Sequence, residues 1–127
     1  MNRVLFSSQH DNWKTPEALY VSLNDEFKFN FDPCPLAEHV LVDGLSVAWG
    51  SSTFCNPPYS QIALWIKKGF DEAALGKNVV FLIPSRTDTK WWHEYVMKAK
   101  EIRFIKGRLK FGGAKNSAPF PSCIVIF

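Results

Sequence analysis

The chain has 127 residues, of which 46% are hydrophobic and 15% aromatic, and a formal net charge of +3. This length suits one domain over residues 1–127 with a sizeable core, and the apolar content excludes an intrinsically disordered chain. No apolar run approaches the roughly 20 residues of a membrane helix, and "MNRVLFSSQHDNW" lacks a signal-peptide pattern.

In chain order, the first predicted element is a helix. Thr15 is its cap, Pro16 stands in the first turn and Glu17 meets the positive dipole end. Leu19, Leu23 and Phe27 then recur every four residues as one apolar stripe. "FKFNFDP" alternates Phe27, Phe29 and Phe31, so Phe29–Asp32 reads as a strand. Residues 34–50 read as irregular, with a turn at Asp43-Gly44. Ser51–Cys55 is a short strand, and Ser60 opens a second helix with Ile62, Trp65, Ile66, Phe70 and Ala73 inward and Gly76 at its end.

"NVVFLIP" is a continuous apolar run of strand length, which suits a strand covered on both faces. Thr87 or Asp88 caps a third helix reaching Ala99, with Trp92, Tyr95, Val96 and Ala99 inward. "EIRFI" and "RLKF" alternate polar and apolar residues, and "SCIVIF" is a buried strand. The order predicts an α/β domain with helices packed on a sheet. The terminal strands lack helical connections, so part of that sheet is expected to be antiparallel.

Between a strand and a helix lies Asn56-Pro57-Pro58-Tyr59. Ligands of open α/β sheets bind beyond the carboxyl ends of strands. The two prolines fix φ twice and lack N–H donors, while their carbonyls still accept. An exocyclic base amine has two donors and a lone pair conjugated into its ring. The Asn56 side-chain oxygen and the Pro57 carbonyl can each accept one donor, and Tyr59 offers a stacking face contributing roughly 1–3 kcal/mol. A base must leave its duplex stack to reach such a site, at a cost of a few kcal/mol.

The NPPY turn resembles the methyl-acceptor motif of S-adenosylmethionine-dependent amino-methyltransferases. "DNWKTPEALYVSLNDEF", "FDPCP", "DGLSVAWG", "NPPYS", "FLIPSRTDTKWWHEYV" and "IRFIKGRLKFGGAKNSAPFPSCIVIF" together resemble the blocks, in order, of the phage-type (Dam-like) DNA N6-adenine methyltransferases, nearly across residues 11–127. The resemblance implies a small Rossmann-like sheet and transfer of methyl from S-adenosylmethionine to adenine N6, with Asn56, Pro57, Pro58 and Tyr59 as the catalytic group. It implies cofactor contacts at Trp13, Thr15, Pro16, Asp32, Pro33, Cys34 and Asp43. Thr15 would meet the methionine part, Asp32 the amino end and Asp43 the adenine amine. Pro35-Leu36-Ala37 replaces the glycines usual in larger methyltransferases. Both Thr15-Pro16 and Asp43-Gly44 also read simply as a helix start and a turn.

The charge is uneven. Residues 1–60 carry three basic and seven acidic residues, whereas residues 61–127 carry twelve basic and five acidic, a net of +7. Arg103, Lys106, Arg108, Lys110 and Lys115, with Arg86 after "FLIP", are candidate DNA-phosphate contacts, and a solvated edge guarded by lysine is the plain alternative. "FGGAKNSAPFP" reads as a loop closing over the DNA or a flipped base.

His10, His39 and His93 have no ligand spacing, His93 reads as structural, and no metal is expected. Cys34, Cys55 and Cys123 suit neither a disulfide framework nor a zinc site, so a cytoplasmic setting follows, that of the host if the chain is phage-encoded. The chain leaves little room for a separate target-recognition domain. Two rival readings stand beside DNA methylation: methylation of a protein glutamine, and a methyltransferase-like binding module without catalysis.

Overall fold

A computed structural model describes residues 13–35 and 43–127. Leu36, Ala37, His10 and His39 lie outside the described residues. Among the described residues three α-helices, α1 (Glu17–Phe27), α2 (Ile62–Ala73) and α3 (Lys90–Glu94), accompany strands β1 (Ser52–Cys55), β2 (Asn78–Pro84), β3 (Glu101–Phe104) and β4 (Ser122–Ile126). The strands form one mixed sheet in the order β1-β2-β4-β3. β1 and β2 run parallel, with Ser52 opposite Asn78, and are joined through α2. β4 runs antiparallel to both neighbours, as expected for strands without a helical connection.

The apolar run of β2 is explained by a core on each side. Val79, Phe81 and Ile83 pack with Trp49, Ile62, Trp65 and Ile66 from the α2 side. Val80 and Leu82 pack with Leu23 of α1, Phe54, Phe111 and Ala118 on the other. α2 lies so close to β2 that a Cβ on Gly69 would stand 2.2 Å from a ring carbon of Phe81. Ile62, Trp65 and Ile66 are buried as predicted, while Phe70 and Ala73 are only partly so. Gly76, at φ +95°, turns the chain after α2. Glu72 faces inward. Its Oε1 accepts from the Trp49 N–H at 2.7 Å and from Lys77 at 2.6 Å, and its Oε2 lies 3.1 Å from Lys68. Desolvation opposes ionisation there, but Lys77, the Trp49 amide and Lys68 outweigh it and hold the carboxyl at about 2.

Several expected boundaries differ. Pro16, not Thr15, holds the cap position of α1, and no side chain caps that helix. The stretch from Phe29 to Asp32 runs beside β1 with two backbone bonds, Asn30 N–H to Ser52 at 2.8 Å and Phe54 N–H to Phe31 at 3.1 Å, but forms only a single bridge, Phe31 with Thr53. The third helix is short: Thr89 caps it through the Trp92 N–H, and a 3-10 turn over Val96–Lys98 follows. "RLKF" is not a strand. Gly107, at φ +75°, turns the chain, and Leu109 and Phe111 pack on the α1-side core. Among the described residues no helix is long and apolar enough to cross a membrane.

Candidate functional site

Because β1 and β2 are parallel, their carboxyl ends open on the same side of the sheet. The NPPY turn leaves β1 there, and Arg86 leaves β2 there. A cleft of about 520 Å³ at this end is lined by Trp13, Tyr59, Arg86, Trp91 and Phe120, among others. Phe120 stands edge-on to Tyr59 at 5.6 Å and to Trp13 at 5.4 Å between ring centroids. The glycine-containing loop thus reaches the same cleft as the NPPY tyrosine. The Gly112 N–H also donates to the Lys14 carbonyl at 2.8 Å, tying that loop to the segment before α1.

Asn56 is bonded to the backbone of Trp13, a residue of the cleft wall. Its Nδ2 donates to the Trp13 carbonyl and, at 3.1 Å, to the Thr15 hydroxyl. Its Oδ1 is buried and has no partner among the described residues. The Pro58 carbonyl accepts from the Gln61 N–H at 3.1 Å. The Tyr59 hydroxyl is buried without a described partner, and burial, with Cys55 and Cys123 nearby, raises its pKa and keeps the phenol neutral. The turn therefore places an unpartnered amide oxygen, two proline carbonyls and an aromatic ring at one strand end. A planar group that donates two N–H bonds matches those acceptors.

The remaining predicted residues form a second cluster at the end of β1. Pro33 packs under Gly44, where a Cβ would meet the Pro33 carbonyl oxygen at 2.2 Å. The Cys34 N–H donates to Asp32 Oδ1 at 2.9 Å. Asp32 keeps contact with solvent, but protein crowds its carboxyl. Desolvation lifts it to about 6 against the opposing Cys34 hydrogen bond. Burial, with Asp32 beside it, pushes the Cys34 thiol up to about 12. Asp43 is committed locally: its carboxylate accepts from the Leu45 N–H and the Ser46 hydroxyl, both at 2.9 Å. That is the turn reading of Asp43-Gly44, and a ligand amine would have to compete with those two donors. Pro16 sits at the start of α1, where its carbonyl accepts from the Tyr20 N–H at 3.0 Å.

The basic residues divide into two groups. Arg103 grips Glu26 of α1 with two bonds of 2.7 and 2.6 Å, and Glu101 with bonds of 2.7 and 3.2 Å. It also lies over the Phe27 ring at 5.6 Å. Arg103 thus ties β3 to α1, which sequence reasoning missed because Glu26 lies far away in the chain. Arg86, Lys106, Arg108, Lys110 and Lys115 are exposed and make no ion pair among the described residues. The sequence also missed Trp91 and Phe120 as cleft residues, although "WW" and "PFP" bracket aromatic rings with helix-start and proline signals. His93 Nε2 donates locally, to the Thr87 carbonyl at 2.8 Å. Among the described residues no group of three or more His, Cys, Asp or Glu side chains could hold a metal.

The family described as DNA N-6-adenine-methyltransferase (Dam) matches residues 4–125. The chain is 30% identical, over 138 aligned positions, to the DNA N-6-adenine-methyltransferase of Haemophilus phage HP1, covering 94% of this chain and 80% of that one. It is 26% identical over 110 positions to the protein of the same description from Escherichia phage T1, covering 78% of this chain but only 46% of the relative. No solved structure matches it significantly.

Proposed function

The chain belongs to the Dam family of DNA N-6-adenine methyltransferases, which are adenine-specific enzymes, and from that premise we propose that the NPPY turn is where the adenine amine is held. The observation that carries this reading is the Asn56 amide. Both its N–H bonds have partners within the protein, and its oxygen has none among the described residues. In the proposed complex, Asn56 Oδ1 and the Pro57 carbonyl accept the two N6 hydrogens and turn the nitrogen lone pair outward. Tyr59 stacks on the flipped base. A base on the Phe120 side of the Tyr59 ring displaces Phe120, and Gly112-Gly113 give its loop the freedom to move. No side-chain nucleophile is required.

S-adenosylmethionine, when bound, supplies an electrophilic methyl group. Asp32 suits its amino end: the carboxyl is crowded by protein, lacks a cationic partner among the described residues, and stands at the β1 end beside Cys34. Trp13, Thr15, Pro16, Pro33 and Cys34 surround the same strand end as proposed cofactor contacts. Asp43 reaches the cofactor only if its turn bonds yield. The parallel β1–α2–β2 unit supports a Rossmann-like placement. Arg86, Lys106, Arg108, Lys110 and Lys115 are the proposed phosphate contacts to duplex DNA, and their number disfavours a protein glutamine as acceptor.

The test is incubation with labelled S-adenosylmethionine and unmethylated DNA, followed by digestion to nucleosides. The label should appear in N6-methyladenine, and Asn56→Ala should lower turnover by about 10²-fold or more, as for a lost transition-state hydrogen bond. Label in 5-methylcytosine alone, or in protein and not DNA, would refute the reading.

A further inference from the structure

The two partners of Asn56 Nδ2 determine which way its amide points. A backbone carbonyl can only accept, so the side of the amide facing Trp13 must be the NH₂ group. Its second hydrogen meets the Thr15 hydroxyl oxygen at 3.1 Å. With both hydrogens engaged, rotation of the amide by half a turn would set Oδ1 against two oxygens, one of which has no proton to give. The only free function left is Oδ1, buried and without a described partner. Thr15 is available for this bond because it does not cap α1, where Pro16 holds the cap position and no side chain caps the helix.

We propose that Thr15 is a positioning residue for methyl transfer. Its hydroxyl accepts from Asn56 Nδ2 and, with the Trp13 carbonyl, locks the amide so that Oδ1 faces the incoming amine. This rests on the proposed role of Asn56 and gives Thr15 a task apart from a cofactor contact. The Thr15 hydroxyl still has its own proton to donate, so the two tasks are compatible but separable. Losing the hydroxyl leaves the Trp13 carbonyl as the amide's one anchor, so the amide samples orientations in which Oδ1 no longer meets the amine. The effect of losing that bond therefore falls on the chemical step.

Three variants test this: Thr15→Val, which keeps the shape and removes the hydroxyl, Thr15→Ser, which keeps the hydroxyl, and Thr15→Val combined with Asn56→Ala. Thr15→Val is expected to lower kcat on the order of 10-fold or more, with little change in KM for DNA or in melting temperature, whatever it adds to the cofactor's KM. Thr15→Ser should recover most of that loss. In the Asn56→Ala background Thr15→Val should cost nothing further, because the group it orients is gone. Side-chain amide resonances give a readout independent of activity: the two Asn56 Hδ2 protons should exchange slowly in the parent chain and faster in Thr15→Val. Unchanged kcat and exchange in Thr15→Val, a loss confined to cofactor KM, or a full additional loss on top of Asn56→Ala would overturn the inference. A parent chain that makes no N6-methyladenine would overturn the reading of function, while the exchange measurement would still decide whether Thr15 locks the amide.

Discussion

Replacing Arg108 with alanine is expected to make DNA binding less salt-sensitive, whereas replacing Arg103 is expected to leave its salt dependence alone. Both are arginines of the same basic stretch, and composition does not separate them. The structure does. Arg103 is spent on Glu26 and Glu101, while Arg108 is exposed and unpaired among the described residues. If Arg86, Lys106, Arg108, Lys110 and Lys115 each neutralise one phosphate, the log–log slope of affinity against salt is about −4.5, from about −0.9 per contact. Between 50 and 200 mM salt, affinity should then fall about 500-fold. Arg108→Ala leaves four contacts, a slope of about −3.6 and a fall of about 150-fold. Fluorescence anisotropy with a labelled duplex, repeated on an unrelated duplex, measures this, and the change should be alike on both because phosphates carry no base identity. An unchanged slope in Arg108→Ala, or a loss of one unit in Arg103→Ala, would refute the division drawn between them.

Two further predictions concern acids. Asp32 has a carboxyl raised to about 6, so a cofactor ammonium that binds its ionised form should bind more weakly as pH falls through that value. Calorimetry should show this pH dependence in the parent chain, with weaker and pH-independent binding in Asp32→Asn. Glu72 has the opposite shift, to about 2, so its stabilising effect is full above the ordinary glutamate value and is lost as pH falls towards 2. Melting temperatures of the parent chain and Glu72→Gln should differ at pH 7 and converge near pH 2.5, and a gap that ignores pH would count against the Lys77–Glu72–Lys68 arrangement.

What the sequence revealed follows from how local each cause is. "NVVFLIP" reads correctly because burial on both faces is written in consecutive residues, and the place of the NPPY turn at a strand end was legible because its prolines act on their own backbone. The start of α1 was misread at one residue. Thr15 has the chemistry of a cap, but a tertiary partner, Asn56, takes its hydroxyl. "RLKF" has the alternation of a strand, but Gly107 breaks the chain's direction, and Leu109 and Phe111 pack into the α1-side core and do not join the sheet. Arg103 looked like its basic neighbours because Glu26, which claims it, belongs to α1. The sequence marked the loop around Phe120 but not the ring itself, since its partners Trp13 and Tyr59 are assembled only by the sheet.

The strand order has a consequence for how the molecule assembles itself. β2 and β3 never touch as paired strands; β4 lies between them, with Val80 opposite Ile126 on one side and Phe104 opposite Cys123 on the other. β3 therefore has no edge to join until β4 has inserted, and these long-range pairings place the insertion late and make it slow. The chain between β3 and β4 carries Phe111 and Phe120, so the aromatic wall of the cleft closes in that same late event. Amide protons of β4 and the rings around Trp13 should accordingly gain and lose protection together, as one cooperative unit, while the β1–α2–β2 half forms first.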